Sequence, residues 1–332
     1  MRRAVILDPT APEELAFLQS HAPGVTLAAP APGQGAAELI AGASVIVSKR
    51  VVVDASTLSA AGSGLKLVQL WSNRPDRVDS GAAKRAGIPV ALMPQRGCIA
   101  VAECALLLLL GLSKRVVAAH QATVSGAYRE RGVEPVVTAE RLHKFQWMQL
   151  PGLFELHGRR LGLVGFGEIA TEVARRARSF GMEIGYWSRS RAATAIEAAE
   201  GVEYKPFAEL LSWSDAVSLH VPHTPETSRL IDAAALARMK SSAVLVNTCR
   251  GGVVDEGALE AALQAGTIAG AGLDVYVQEP IPFDHPLLHA PNTLLLPHIG
   301  GGSGGARVKH AEDVMTNVIA AIEGRPIRHL LT

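Results

Sequence analysis

The chain has 332 residues, a length that suits two domains, each large enough to bury a core. Its 48% hydrophobic and 19% charged residues are those of an ordinary globular enzyme, and a net charge of +1 gives no bulk attraction to nucleic acid or to an anionic membrane. The strongest apolar run, Ala105 to Leu110, is too short to span a bilayer. The three cysteines, Cys98, Cys104 and Cys249, show no metal-ligand spacing, so no metal site and a reducing, cytoplasmic setting are expected.

The first hundred residues alternate short apolar runs with helical stretches. Ala4–Leu7, Ser44–Val47, Leu67–Leu70 and Pro89–Leu92 read as buried parallel strands, and Pro12–His21, Asp54–Ala61 and Asp79–Ala86 as the helices between them. One long helix is expected from about Ile99 to Ala122. An irregular arm follows from Ser125 to Leu156, carrying Tyr128, Phe145, Trp147 and Phe154 and suited to an intersubunit contact.

The alternation resumes with six expected strands: Leu161–Val164, Glu183–Trp187, Ala216–Leu219, Val244–Val246, Ile268–Leu273 and Thr293–Leu296. A last helix runs from Arg307 to Ile322. Strand and helix in alternation predict an α/β chain of two doubly wound parallel sheets, the second of six strands in two mononucleotide-binding halves.

The start of that second series carries chemistry. Val164 leads into Gly165, Gly167 and Ala170, a GxGxxA turn between strand and helix in which Glu168 and Ile169 open the helix. The first glycine makes the turn, the second admits a pyrophosphate, and the helix N-terminus offers it free N–H groups. At the end of the next strand, where an acid would bind an NAD ribose, stand Ser188, Arg189, Ser190 and Arg191. A hydroxyl followed by guanidinium forks suits a 2′-phosphate, so NADP(H) is preferred and NAD(H) remains possible.

Three later blocks fall at expected strand ends, where doubly wound sheets bind ligands. They are Asn247-Thr248-Cys249-Arg250-Gly251-Gly252, then Asp274 through Glu279-Pro280, then Pro297-His298-Ile299-Gly300. With the GxGxxA turn, in this order and over nearly the whole length, they resemble the D-2-hydroxyacid dehydrogenase family, in particular its NADP-preferring glyoxylate and hydroxypyruvate reductases.

That resemblance implies a flavodoxin-like substrate domain (1–102 with 298–332), a Rossmann cofactor domain (103–297) and an active site in the cleft between them. It implies His298 as general acid/base, Glu279 orienting the imidazole and raising its pKa, and Arg250 binding the substrate carboxylate. Val221, Pro222, Thr227, Thr248, Cys249, Arg250, His298 and Gly300 would line the cofactor, and Asp274 would meet the carboxamide. The substrate is then a small 2-keto or 2-hydroxy acid and the assembly a homodimer, with no nucleic-acid or membrane partner. A same-fold enzyme acting on formate or phosphite, and a dinucleotide-sensing protein like the C-terminal-binding-protein corepressors, are the alternatives.

One segment departs from the family. Relatives carry a Gly-rich turn after the strand ending at Leu70, whereas this chain has Trp71, Ser72, Asn73 and Arg74. Either Ser72, Asn73 or Arg74 touches the substrate, or the backbone still binds it while the side chains face solvent. Ser48-Lys49-Arg50 follows another strand and is a further candidate for the same cleft.

Overall fold

The computed structural model describes residues 2–72, 75–93, 96–141, 145–301 and 305–331. It divides into two compact units, Met1–Ile99 with Ser303–Thr332, and Ala100–Gly302. The second boundary falls later than the sequence suggests, so His298 belongs to the second unit.

The first unit is a five-stranded parallel sheet: β1 (Arg3–Ile6), β2 (Thr26–Ala28), β3 (Val45–Ser48), β4 (Leu67–Leu70) and β5 (Val90–Ala91), in the order β2-β1-β3-β4-β5. This is the flavodoxin-like order. Its helices α1 (Pro12–Ser20), α2 (Ala37–Ile40), α3 (Ala55–Ala61) and α4 (Ser80–Arg85) connect the strands. Asp54 and Asp79 cap α3 and α4 by accepting from the Thr57 and Ala82 amides, each at 2.8 Å. Successive strand residues serve opposite faces: Ala4, Ile6, Val45 and Val47 share one core with Val314, Met315 and Val318 of the last helix (Ala306–Glu323), while Val5 and Ile46 belong to the other. β2 and α2 are additions to the elements expected.

The boundary at Ala100 falls within α5 (Arg96–Ser113), and α6 (Val116–Ser125) follows in the second unit. The single long helix expected here is two, bent by 57° at a break where Arg115 takes a left-handed conformation, φ 49°. Among the described residues no single helix is long and apolar enough to cross a membrane. Among its described residues the arm that follows holds a short 3-10 turn, Ala127–Arg131, and in it Trp147 packs edge-on to Tyr128, ring centroids 5.6 Å apart.

Seven strands, not six, then form one parallel sheet: β6 (Arg160–Val164), β7 (Glu183–Trp187), β8 (Glu203–Tyr204), β9 (Ala216–Leu219), β10 (Val244–Asn247), β11 (Gly270–Leu273) and β12 (Thr293–Leu295). Their order is β12-β11-β10-β9-β6-β7-β8, the Rossmann arrangement with one further strand at its edge. The further strand is β12, and the one the sequence reading lacks is β8, which pairs with β7 over only two residues. Because every pairing is parallel, all seven carboxyl ends emerge on one edge of the sheet, and the chain reverses direction of winding between β6 and β9.

Candidate active site

The site residues of the second unit come from the carboxyl ends of six of these strands. β6 runs into Gly165, whose φ of +94° is left-handed and whose Cβ, if it had one, would lie 2.5 Å from the His220 carbonyl oxygen. Any side chain is excluded on both grounds. Gly167 then precedes α7 (Glu168–Ser179), and a Cβ there would meet nothing within 4 Å. The first turn of α7 therefore faces open space without a capping side chain, while Ala170 is fully buried against the sheet. At the end of β9, His220 places its Nε2 2.9 Å from the Ser218 hydroxyl, and its buried Nδ1 has no partner among the described residues. Burial holds this imidazole down to about 3, so it is neutral at physiological pH. Thr227 closes the following turn, accepting from the Thr224 amide at 2.8 Å and donating to the Pro222 carbonyl at 2.6 Å, beside Val221.

After β7 the chain presents Ser188, Arg189 and Ser190 at half-buried to exposed positions, the Ser188 hydroxyl donating to the Ser190 carbonyl. Arg191, grouped with Arg189 in the sequence reading, is instead bound on both fork nitrogens by Glu197 at 2.8 Å each. The partner stands six positions on, in the helix Thr194–Glu200, and that spacing from the preceding turn gave no periodic signal for the pairing.

β10 ends at Asn247, whose side chain ties the next turn together. Its oxygen accepts from the Cys249 amide at 3.0 Å and its nitrogen donates to the Arg250 carbonyl at 3.1 Å. Thr248 is buried with its hydroxyl unpartnered among the described residues. Burial lifts the Cys249 thiol to about 11, which suits a packing role better than a nucleophile. Arg250 is extended (φ −152°, ψ 144°) and exposed, and one guanidinium nitrogen donates to the Cys249 carbonyl at 2.6 Å. Gly251 permits the approach of this turn to the β11 loop: a Cβ there would sit 1.9 Å from the Tyr276 carbonyl carbon.

The β11 loop holds the remaining carboxylates. Asp274 is 1% exposed, and its two oxygens accept from the amides of Ile299 and Gly300, each at 2.8 Å. These two bonds fasten the loop after β12. Glu279 accepts from the Tyr276 amide at 3.0 Å with one oxygen, and its other oxygen lies 2.5 Å from His298 Nδ1. Burial pushes the Glu279 carboxyl up, but hydrogen bonds from His298 and Tyr276 and the charges of His298 and Arg250 outweigh it and hold the group below the usual carboxylate range. His298 itself is left-handed at φ 56°, a conformation the Asp274 bonds to the next two amides support.

The second unit thus brings together Gly165, Gly167, Glu168, Ile169, Ser188, Arg189, Ser190, Val221, Pro222, Thr227, Thr248, Cys249, Arg250, Asp274, Glu279, His298 and Gly300 at one sheet edge. A hollow of about 580 Å³ in the same unit lies at the opposite edge, by the first residues of β10, β11 and β12, and takes no part in this arrangement. No group of three or more His, Cys, Asp or Glu residues among the described ones is arranged to hold a metal.

In the first unit, Ser72 is buried just beyond β4, and Asn73 and Arg74 lie outside the described residues. Trp71 turns inward. It is 4% exposed, its Nε1 donates to His310 Nδ1 on the last helix at 3.0 Å, and the Lys49 ammonium stands 4.1 Å from its ring centre. Asp8 accepts from the amides of Lys49 and Arg50 at 2.6 and 2.9 Å, fixing the turn after β3.

Comparison with known proteins gives a consistent answer. A family model described as D-isomer specific 2-hydroxyacid dehydrogenase, NAD binding domain, matches residues 106–300. A glyoxylate reductase of Korarchaeum cryptofilum is 41% identical over 273 residues, 82% of this chain and 77% of that protein. One from Thermococcus onnurineus is 40% identical over the same shares. Among solved structures, a glyoxylate reductase from Paecilomyes thermophila is 29% identical with a TM-score of 0.58, covering 99% of this chain and 98% of that one.

Proposed function

This chain belongs to the D-isomer specific 2-hydroxyacid dehydrogenase family, and from that premise we propose that it is an NADP(H)-preferring reductase of a small 2-keto acid, with glyoxylate and hydroxypyruvate the first candidates. The observation that carries the proposal is the His298–Glu279 pair at the carboxyl edge of the sheet, with the Arg250 turn packed against the loop bearing Glu279. The names of the relatives support glyoxylate as substrate.

The residues present fit a dinucleotide. The N-terminus of α7 faces open space at Gly167, and two buried polar atoms, Thr248 Oγ1 and His220 Nδ1, have no protein partner among the described residues. Gly165 to Ile169 would hold the pyrophosphate, and Ser188, Arg189 and Ser190 a 2′-phosphate. Val221, Pro222, Thr227, Thr248 and Gly300 would line the remainder. When bound, the reduced nicotinamide supplies the hydride that goes to the carbonyl carbon.

The chain's own groups supply the rest. The Arg250 guanidinium pairs with the substrate carboxylate and draws electron density from the keto oxygen. With Nδ1 of His298 engaged by Glu279, Nε2 is the ring atom free to give a proton to that oxygen as it becomes a hydroxyl. The Glu279 carboxylate compensates the imidazolium before transfer and keeps the ring aimed. Asp274 holds the backbone on which the ring sits.

The test is the fall in absorbance at 340 nm with NADPH and NADH, each against glyoxylate, hydroxypyruvate, pyruvate and bulkier 2-keto acids. Faster NADPH oxidation with the two-carbon or hydroxylated three-carbon acid supports the proposal. Binding of both cofactors without turnover on any keto acid overturns it in favour of a sensing role.

A further inference from the structure

The loop after β7 carries two arginines in two different states. The Arg189 side chain is exposed, and the charge it meets is that of the exposed Glu226 carboxylate, which, after the Thr224 hydroxyl, it helps to hold below the usual range. Arg191 is paired: both its Nε and one terminal nitrogen donate to Glu197, whose side chain is 9% exposed, and its guanidinium lies 5.4 Å from the Tyr204 ring centre. The same carboxylate accepts from the Tyr186 hydroxyl at 2.7 Å, and that hydroxyl in turn accepts from the Ala192 amide at 2.9 Å. A fork-to-fork pair of this kind is a strong arrangement for an arginine: it turns the Nε edge of Arg191 toward Glu197 and offsets its charge, although the side chain stays 60% exposed.

We propose that Glu197 is a specificity-determining residue, which by holding and neutralising Arg191 leaves Arg189 alone to meet a 2′-phosphate and keeps the site open to a cofactor with a free 2′-hydroxyl. The inference rests on the NADP(H) reading above and adds a reason for its being a preference. Two unpaired guanidiniums in one short loop would draw a phosphate dianion more strongly than one, and would repel each other when the ligand lacks it. One carboxylate placed behind the loop cancels half of that attraction. The clamp does not titrate near neutrality: Arg191 first, then Tyr186, hold the Glu197 carboxyl down to about 2.

The experiment is a fluorescence titration of the purified protein with NADPH and with NADH, for R189A, R191A, E197Q and the double variant E197Q/R191A. R189A is expected to weaken NADPH about tenfold or more and to spare NADH, while R191A moves neither by more than about twofold. E197Q keeps the shape and the Tyr186 contact but removes the charge and one of the two bonds that hold Arg191. It should tighten NADPH about threefold to tenfold with NADH unchanged, and the gain should vanish in E197Q/R191A. Should E197Q not fold, E197D, too short to span the fork, is expected to shift NADPH in the same direction. R191A weakening NADPH as much as R189A does, or E197Q weakening both cofactors alike, overturns the proposal. A full-strength NADPH complex in R189A would instead overturn the NADP(H) reading itself.

Discussion

The imidazole of His298 and the carboxylate of Glu279 stand 2.5 Å apart although 19 residues separate them, because the loops after β11 and β12 leave neighbouring parallel strands at the same edge. Both side chains remain partly open, 46% and 35% exposed, so the pair is ordered by the protein yet reachable from solvent. Removing the ring in H298N is expected to lower kcat by about 10²- to 10⁴-fold while NADPH affinity changes little. Stopped-flow turnover beside a binding titration separates the two; an unaltered kcat would assign the proton to another group.

Acid should weaken this pair in a defined direction. The Glu279 carboxyl is held below its ordinary value of 4.5, so the stabilisation it brings is complete above that pH and is lost as pH falls through the lower folded value. Urea midpoints between pH 7 and pH 3 should therefore fall more steeply for the parent protein than for E279Q. Parallel curves would mean that the pair contributes nothing to folding.

Asp274 offers a second handle on His298. In D274N one of the two backbone amides loses a charged acceptor and faces an N–H group instead, at a cost of about 1.5–3 kcal/mol. The loop carrying His298 is then expected to loosen, with kcat falling further than the melting temperature alone would suggest. Hydrogen exchange at Ile299 and Gly300 reports the loosening directly.

Gly165 and Gly167 should respond in opposite ways to the same substitution. G165A forces a left-handed alanine into the His220 carbonyl and is expected to destabilise the protein by about 1–3 kcal/mol. G167A meets no protein atom, so the melting temperature should stay put while dinucleotide affinity drops about tenfold or more. An unaltered affinity in G167A would mean that the first turn of α7 is not the phosphate cradle.

How much of this was legible before the structure depends on where each signal is carried. Strands such as Val244–Asn247 are buried along their whole length and show up as unbroken apolar runs. β2 and β8 escaped notice because they are short edge strands with one exposed residue each in the patterns for Thr26–Ala28 and Glu203–Tyr204. The break between α5 and α6 is written in Lys114 and Arg115, good helix formers, so only the observed backbone reveals it. That Arg250, Glu279 and His298 share one sheet edge was readable because each follows a recognisable strand. The hold of Asp274 on the Ile299 and Gly300 amides was not, since nothing in the spacing of an acid after a strand announces bonds to the next loop. The inward turn of Trp71 was not legible either: its ring and its N–H meet Lys49 and His310, which are distant in the sequence.

The first unit is assembled from both ends of the chain, with Val314, Met315 and Val318 of the last helix fully buried against β1 and β3 strands made some three hundred residues earlier. On the ribosome the nucleotide-binding half can therefore close as a continuous stretch while its companion still waits for its final wall. An apolar sheet face made first is covered last, and nascent chains stalled before Ala306 would display it to chaperones.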